Sequence, residues 1–320
     1  MSISETVSME DKRCPFGCAP NDEIVLVGKD LLHDLPGEFN VVKCNTCGLI
    51  RTNPRPTPES IGLYYPEDYG PYEGTKIKRT SAHRDNDSEN LFKTLIKRIV
   101  NFNTRPLPNI KPGKMLEVGC ASGSFLHEMA EIGWQVSGIE FSPEATKTAS
   151  KLGYQVHCGP LETAPAPNEN YDLIVGWMVL EHLYEPVNGL KKLWEWASTD
   201  SWLVLSVPNA ASLEFKLFKD KWYALQVPTH FYHFTPKTLE KVLKESGWKL
   251  EKVIHQRVLT NIIISTGYLL CDKGYIKIGQ KLINSQKNTN KWQYILYPIS
   301  LVLSYFGQTG RMTVHARRES

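Results

Sequence analysis

The chain has 320 residues, which is enough for one large or two modest domains with a substantial core. Its composition is ordinary for a globular protein, and a net charge of +3 is too small to indicate a nucleic-acid partner. The first residues lack the basic and apolar regions of a signal peptide. The longest apolar run, 294–306, contains Pro298 and is shorter than the roughly 20 residues that span a bilayer. These observations predict a soluble, cytoplasmic protein.

Near the N-terminus, four cysteines lie in two close pairs: Cys14 with Cys18, and Cys44 with Cys47. The pairs are separated by 25 residues, within which strands are predicted over 23–27 and 39–43. Two thiol pairs at this spacing indicate a tetrahedral zinc site, and four thiolates leave no open coordination position for catalysis. The sequence therefore predicts a zinc ribbon-like unit with structural Zn²⁺. Four reduced cysteines without a metal are the alternative.

The next segments connect this unit to the rest of the chain. A proline-rich connector over 52–58 cannot be helical. It is followed by an aromatic stretch, 63–72, and a polar stretch, 75–90, which we predict to be a mobile loop or lid. Residues 91–102 carry apolar side chains at helical spacing and predict a helix.

A glycine-bearing turn then follows a short strand-like run at 115–118 and precedes an amphipathic helix that begins near Phe125. Such a turn allows close approach of a ligand, towards which the first N–H groups of the helix point. The next predicted strand ends in Glu140, about twenty residues downstream, where an acid can accept both hydroxyls of a ribose. The pattern predicts a site for a nucleoside-containing cofactor. An ordinary strand–turn–helix connection is the alternative.

The residues of the turn distinguish between cofactors. A dinucleotide fingerprint needs G-x-G-x-x-G, whereas Gly119 and Gly123 are four apart, with Ala121 between them and no third glycine. Glu117 suits a cationic ligand better than a phosphate. The stretch resembles motif I of the class I S-adenosylmethionine-dependent methyltransferases, E-x-G-x-G-x-G. Ala121 departs from that motif, and we expect its φ to be negative because alanine tolerates positive φ poorly.

Strands and helices alternate around this motif, as in an α/β doubly wound sheet. Further strands are predicted at 154–157, 171–175, 202–207, 249–255 and 312–316, and helices at 143–152, 187–197 and 236–246. The resemblance implies a seven-stranded Rossmann-like methyltransferase sheet with a helical insertion over 259–309. The predicted units are a zinc-binding unit (1–75), a linker and helix (76–110), a cofactor-binding core (111–258), and the insertion with the last strand (259–320).

The resemblance also implies which residues bind S-adenosylmethionine. The turn would face its methionine and ribose parts, Glu140 would hold the ribose, and the loop after the third strand would lie by the adenine. The implied cofactor-binding residues are Glu117, Gly119, Ala121, Gly123, Glu140, Leu161, Glu162 and Trp177.

Two histidine-containing segments are candidates for acid–base chemistry. Residues 177–183 resemble the L-E-H-L segment of small-molecule methyltransferases, including quinone-pathway O-methyltransferases, which would bring Glu181 and His182 near the methyl group. Residues 228–234 resemble a loop in which sugar C-methyltransferases with an N-terminal zinc unit use a His and a Tyr. We expect His230 to be the general base, ahead of His233 and Tyr232, with His182 as the alternative. Packing without a catalytic role is the alternative for both segments.

The first functional hypothesis is methyl transfer to a small molecule, either a sugar, a sugar nucleotide or a lipid-linked glycan. This follows from the resemblance of the whole layout to bacterial methyltransferases of sugar and surface-polysaccharide biosynthesis. The second is O-methylation of a quinone or phenolic metabolite, and the third is a non-catalytic scaffold that binds S-adenosylmethionine. The basic, apolar insertion after Leu259 makes a peripheral membrane contact conceivable, with a core or dimer helix as the alternative. The sequence does not specify the acceptor atom or the oligomeric state.

Overall fold

A computed structural model describes residues 7–65, 100–285 and 290–319. The strands in chain order are β1 (Met9–Glu10), β2 (Asp22–Gly28), β3 (Phe39–Cys44), β4 (Ile50–Thr52), β5 (Arg55–Pro56), β6 (Lys114–Val118), β7 (Gln135–Glu140), β8 (Gln155–Cys158), β9 (Tyr171–Trp177), β10 (Ala197–Pro208), β11 (Tyr232–His233), β12 (Trp248–His255) and β13 (Arg311–Arg318). The helices are α1 (Ser124–Glu131), α2 (Pro143–Ser150), α3 (Pro186–Glu195), α4 (Leu213–Phe218), α5 (Pro236–Glu245), α6 (Thr260–Asp272), α7 (Ile276–Asn284) and α8 (Asn290–Tyr305).

A seven-stranded sheet forms the centre of the molecule, with strand order β12-β13-β10-β9-β6-β7-β8. Strands β8, β7, β6, β9 and β10 pair in parallel, and β13 lies antiparallel between β10 and β12. The inner strands carry continuous apolar runs such as Leu173, Ile174 and Val175, all fully buried, because helices cover both faces of a parallel sheet. The predicted doubly wound sheet is confirmed.

Local capping sequences fix where the flanking helices begin. The Ser142 side chain accepts a hydrogen bond from the Ala145 N–H at the start of α2, and Pro143 occupies the first helical position. Thr235 caps α5 in the same way, with Pro236 at its first position. Both helix starts agree with the sequence prediction. These helices hold β7 and β12 against the core, and β7 in turn carries Glu140.

A second, four-stranded sheet has the order β11-β4-β3-β2. Strands β2 and β3 confirm the two strands predicted between the cysteine pairs. The sequence analysis did not predict β11, which comes from the loop before α5 and pairs with β4. The Thr52 hydroxyl also donates to the carbonyl oxygen of His230, at 2.7 Å. The N-terminal unit is thus hydrogen-bonded to the loop that carries His230, and the domain boundaries stay predictions.

The insertion between β12 and β13 is helical, as predicted, and consists of α6, α7 and α8. Among the residues that the structure describes, no helix combines the length and hydropathy needed to cross a bilayer. The aromatic residues 69–72, the predicted loop over 75–90 and most of the predicted helix over 91–102 lie outside the described residues. Residues 100–102, where that helix was expected to end, are not helical.

Candidate functional site

A cavity of about 510 Å³ lies at the carboxyl ends of β6, β7 and β9, where the strand order of the sheet reverses. Residues that follow β6, β7 and β8 line one part of its wall: Gly119, Ala121, Glu140, Phe141, Leu161 and Glu162. Other elements contribute a second set, which includes Tyr65, Trp177, His182, Tyr223, His230 and Arg311. Six of the eight predicted cofactor residues and two of the four predicted catalytic residues therefore share one cavity.

The turn after β6 brings the backbone close to the cavity. Gly119 has a φ of 71°, and a Cβ atom there would lie 2.5 Å from a methyl carbon of Val179. Ala121 has a φ of 46°, so the expectation of a negative φ was wrong. In this conformation the Ala121 N–H donates to Oε2 of Glu140, at 2.8 Å. This bond offsets part of the cost of about 1–2 kcal/mol that a left-handed conformation imposes on a residue with a Cβ.

Glu140 is buried at the end of β7, and its carboxylate lines the cavity. Oε2 accepts from Ala121 and Oε1 accepts from the Ser142 N–H, both at 2.8 Å. Burial raises the pKa of the carboxyl group, and the backbone N–H groups oppose that change. A carboxylate can accept about four hydrogen bonds, so each oxygen keeps capacity for a ligand hydroxyl. This arrangement fits a ribose with its two hydroxyls.

Glu117 and Gly123 do not line the cavity. Gly123 precedes α1 and packs against Ala149. Glu117 is 3% exposed, and its Oε2 has no hydrogen-bond partner within the described part of the chain. Burial raises the pKa of Glu117 to about 8, while the positive charge of Arg105 acts in the opposite direction. An unpartnered carboxylate oxygen beside a guanidinium suits a ligand that carries both an amino and a carboxylate group.

Two aromatic residues extend the cofactor side of the site. Trp177 lines the cavity and forms an edge-to-face pair with Phe125, and the Arg105 guanidinium lies 4.9 Å from the centre of the Phe125 ring. Phe141 is 54% exposed and lines the cavity directly after Glu140, close in sequence to the ribose position. Phe141 and Leu161 both line the cavity and can provide apolar surface for a nucleobase. The sequence analysis missed Phe141, although the sequence shows an aromatic residue directly after the candidate ribose-binding acid, Glu140.

His182 and His230 face each other across the second part of the cavity, with ring centroids 4.6 Å apart. Nδ1 of His182 lies 2.9 Å from the carbonyl oxygen of Thr229, and Nδ1 of His230 lies 3.0 Å from that of Ala224. Since a carbonyl oxygen can only accept, we assign the proton of each neutral ring to Nδ1. Nε2 of each histidine is then left as a proton acceptor. Tyr65 also contacts His182, through a 3.0 Å separation between its hydroxyl and Nδ1.

Burial keeps these histidines neutral and keeps the neighbouring acid protonated. It lowers the pKa of His182 to about 4 and that of His230 well below its ordinary value. Glu181 is fully buried, neither carboxylate oxygen has a hydrogen-bond partner among the described residues, and burial raises its pKa to about 8. One ligand atom from each of the three residues lies within 4.8 Å of the others. Such a cluster can pass a proton between its members or hold a divalent cation.

Tyr232 and His233, the other predicted catalytic residues, are buried in β11 and do not line this cavity. The Tyr232 hydroxyl donates to the carbonyl oxygen of Tyr184, at 3.1 Å, and accepts from the Arg55 guanidinium. Nε2 of His233 lies 3.3 Å from the Thr52 hydroxyl. Their contacts join β11 to the N-terminal sheet, whereas His230, two residues earlier, reaches the cavity.

Arg311, at the start of β13, is a cavity residue that the sequence analysis missed. Burial lowers its pKa, and the acidic groups of Glu181, Tyr223 and Glu214 act in the opposite direction. Arg311 in turn lowers the pKa of Glu181 and of His230 by its positive charge. A guanidinium at this place can stabilise negative charge on a bound acceptor. No local motif marks Arg311, because it is distant in sequence from the residues it meets.

The four N-terminal cysteines form one cluster, in which the sulfur atoms all lie within 4.8 Å of one another. The Sγ atoms of Cys14 and Cys47 are 3.5 Å apart. Each pair is closed by a turn, with the Gly17 N–H bonded to the Cys14 carbonyl and the Gly48 N–H to the Cys44 carbonyl. Tetrahedral coordination with Zn–S bonds of about 2.3 Å places sulfurs about 3.8 Å apart, so the donor set fits Zn²⁺.

Residues 88–253, slightly more than half of the chain, match the family described as "Methyltransferase domain". The chain belongs to this family. Similar curated proteins include the ubiquinone biosynthesis O-methyltransferase of Nitrosospira multiformis, 29% identical over 154 residues, which are 44% of this chain and 64% of that protein. The mitochondrial ubiquinone biosynthesis O-methyltransferase of Homo sapiens is 26% identical over 174 residues, 47% of each chain. The protein thus spans about half to two thirds of the length of these relatives.

Solved structures have lower sequence identity to this chain than the curated proteins do. An S-adenosylmethionine-dependent methyltransferase from Mesorhizobium loti has 15% identity and a TM-score of 0.42, over 72% of this chain and 99% of that one. A magnesium protoporphyrin IX methyltransferase from Synechocystis, solved with bound SAH, has 15% identity and a TM-score of 0.41, over 72% and 82% of the two chains.

Proposed function

We propose that the protein transfers the methyl group of S-adenosylmethionine to a hydroxyl oxygen of a phenolic or quinone-type small molecule. The observation that carries the proposal is one cavity lined both by Glu140 with the Gly119 turn and by the pair His182 and His230. Membership of the methyltransferase family supports the reaction. The names of the relatives support the acceptor class. The sugar acceptor that the sequence favoured gains no support from them.

The residues around the turn fit the parts of the cofactor. Glu140 would accept the two ribose hydroxyls with the lone pairs that its backbone donors leave free. Glu117, whose Oε2 has no hydrogen-bond partner among the described residues, would accept from the amino group of the methionine part, and the Arg105 guanidinium would pair with its carboxylate. Phe141 and Leu161 would cover the adenine. When bound, S-adenosylmethionine supplies a methyl group that its sulfonium has already activated.

Transfer to a hydroxyl breaks the methyl carbon–sulfur bond, forms a carbon–oxygen bond and releases the hydroxyl proton. We assign that proton to Nε2 of His182, which lines the cavity and which burial keeps neutral at pH 7. The sequence favoured His230 as the base, and here His230 orients the acceptor beside it. Glu181, which is protonated in the resting site, would donate a hydrogen bond within this cluster, and Arg311 would stabilise charge on the acceptor oxygen.

The four-cysteine cluster has the donor atoms of a structural metal site. We propose that Cys14, Cys18, Cys44 and Cys47 hold one Zn²⁺, on the grounds of their clustering and of the thiol donor set. The metal would stabilise the turns on either side of β2 and β3. Because β11 extends the same sheet, this unit would also fix the loop that carries His230.

The test measures incorporation of labelled methyl groups into three acceptors: an alkyl catechol, an alkyl phenol and a nucleotide sugar. We expect the catechol or the phenol to accept the label. His182→Gln should lower kcat by about 10²–10⁴-fold and leave the Kd of S-adenosylmethionine unchanged. The matched variant His233→Gln should keep most of the activity. Label in the nucleotide sugar alone would refute the acceptor class, and absence of cofactor binding by the folded protein would refute the reaction.

One control separates proton transfer from metal catalysis. The cluster of Glu181, His182 and His230 also has the donor atoms of a divalent-cation site. If His182 acts as a proton acceptor, turnover persists in buffer treated with a chelator too weak to remove zinc from four thiolates. Turnover that stops there, and returns with added Mg²⁺ or Mn²⁺, would assign the cluster to a metal centre instead.

A further inference from the structure

Helix α8 presents an apolar surface to the solvent. Exposed positions recur along it as 294/295, 298/299, 301/302 and 305/306, whereas Tyr297 and Ser300 between them are buried. A spacing of three to four residues places the exposed positions on one face of the helix. We call their large apolar members the apolar stripe: Tyr294, Ile295, Ile299, Leu301, Val302, Tyr305 and, directly after the helix, Phe306.

The face of α8 that meets the rest of the protein makes polar contacts and one aromatic contact, in which the Tyr297 ring meets Phe102 edge-to-face at 5.5 Å. The Tyr297 hydroxyl bonds to the backbone of Asn101 and to the guanidinium of Arg257. Ser300 is fully buried, and its hydroxyl donates to the carbonyl oxygen of Tyr297. This orientation is the reverse of an ordinary surface helix, which turns its apolar face to the core. Within the described part of the chain, Tyr294 packs edge-to-face against Phe102, whereas the other members of the apolar stripe remain exposed.

The size of the apolar stripe distinguishes it from scattered surface residues. Ile295 is 64% exposed, Val302 57%, Tyr305 84% and Phe306 68%. Single exposed apolar residues are common, whereas a contiguous patch marks an interaction surface. The helix has 16 residues, so the stripe runs for about 24 Å. Helices of this kind lie flat in the boundary between lipid headgroups and acyl chains.

The charge of the same segment indicates which kind of surface it meets. Residues 273–310 contain five lysines and no aspartate or glutamate. The lysines are Lys273, Lys277, Lys281, Lys287 and Lys291. Each lysine near an anionic bilayer adds about 1 kcal/mol of attraction in general. An acid-free, lysine-bearing segment with an exposed apolar helix has the composition of an interfacial membrane anchor.

The apolar stripe ends close to the cavity. Phe306 is five residues before Arg311, a length of chain that spans at most about 18 Å. The carbonyl oxygen of Gln308 in this connection accepts from the backbone N–H of Leu213, at 3.2 Å. Leu217, in the same short helix as Leu213, is 67% exposed and adds apolar surface near the end of the stripe.

We propose that the apolar stripe of α8 binds the surface of an anionic phospholipid bilayer without crossing it. Acyl chains would cover the stripe, and the exposed side chains of Lys273, Lys277 and Lys281 would contact the headgroup phosphates. The cavity would then open near the membrane surface. This binding is independent of the acceptor; that the acceptor itself partitions into the membrane rests on the proposed function.

The test is flotation of the full chain with vesicles of phosphatidylcholine containing about 30% phosphatidylglycerol, against vesicles of phosphatidylcholine alone. The variant is Ile299→Asp with Val302→Asp, both on the exposed face, so the core is unchanged. We expect its partition coefficient on anionic vesicles to fall at least about tenfold. The matched control is Ile132→Asp, since Ile132 is a 62% exposed apolar residue directly after α1 and is not part of the stripe or of α8. Equal binding of variant and wild type, or no binding of wild type, would overturn the proposal.

A second measurement excludes a self-association surface. Sedimentation velocity without lipid should give the same mass for the wild type and the double variant. A wild-type dimer that the two aspartates dissociate would assign the stripe to a second copy of the chain and overturn the membrane proposal. Calorimetric titration with S-adenosylmethionine accompanies both measurements. Unchanged cofactor binding by the variant keeps a failure of the membrane proposal distinct from a failure of the proposed function.

Discussion

The substitution Glu181→Gln should stabilise the protein at pH 8 and remove its activity. The carboxyl group is fully buried, and neither of its oxygens has a hydrogen-bond partner among the described residues. Burial disfavours the ionised form, which raises the pKa from 4.5 to about 8. Glutamine has nearly the same shape and never ionises. Above pH 4.5, Glu181 of the wild type loses its proton on unfolding, and this favours the unfolded state. The substitution removes that effect.

The size of the effect follows from proton linkage. Between pH 4.5 and about 8 the folded state binds the Glu181 proton and the unfolded state has lost it, so stability falls as the pH rises. The contribution is fully present below pH 4.5. At pH 8 it has fallen by about 4 kcal/mol, because each pKa unit corresponds to about 1.4 kcal/mol. Relative to wild type, Glu181→Gln should gain roughly 2–4 kcal/mol at pH 8 and less than about 1 kcal/mol at pH 5.

Urea unfolding at pH 5, 6.5 and 8 measures the difference in the free energy of unfolding, and turnover is measured on the same samples. Loss of the carboxyl group beside His182 should lower kcat by about 10²-fold or more. Glu214→Gln is the matched control, since burial raises the pKa of Glu214 to about 7 but its carboxylate is bonded to Gly310 and Trp222. This control should keep activity. A stability difference that does not change with pH, or full activity in Glu181→Gln, would refute the reasoning.

Three further predictions concern the cofactor turn and the cysteine cluster. Glu140→Ala should weaken S-adenosylmethionine binding at least about 100-fold in calorimetry, because the ribose hydroxyls lose their acceptor; unchanged affinity would exclude Glu140 from the site. Ala121→Gly should raise the free energy of unfolding by up to about 1 kcal/mol in urea titrations, because glycine has no penalty at a φ of 46°; a decrease would contradict the strain. Cys44→Ser should abolish stoichiometric zinc in metal analysis and lower the Tm, whereas Cys158→Ser, at an exposed cysteine, should change neither.

The sheet was predictable because the features that define its elements are local. Apolar runs gave β6, β9 and β10, and cap residues such as Ser142 and Thr235 gave the helix starts, all within a few residues of the structure. The two-residue strand β11 was not predictable. It is too short to show a period, and it forms only because β4, far away in sequence, offers hydrogen-bonding groups to it.

The candidate site also contains residues that the sequence predicted and residues that it did not predict. Glu140 and the Gly119 turn were found because strand, turn, helix and acid lie within about 25 residues with a fixed order. Phe141 was predictable, because an aromatic side chain directly after Glu140 is a local feature of the sequence. Arg311 could not be found, since β13 reaches the cavity only by inserting antiparallel between β10 and β12. Among the candidate bases, the sequence could not rank His182, His230 and His233, because their access to the cavity depends on how the loop pairs with the N-terminal sheet.

The sequence by itself determined the class of fold, the strand–turn–helix connection around Gly119 and the two close pairs of cysteines, because periodicity, capping and residue spacing act over short stretches of chain. The tertiary structure alone decided the positive φ of Ala121, the burial of Glu181 and the outward orientation of the apolar stripe. Each of these depends on groups that are distant in the sequence or on which face of an element meets the core. A helical period in α8 is the same whether its apolar face points inward or outward, and only packing selects the direction.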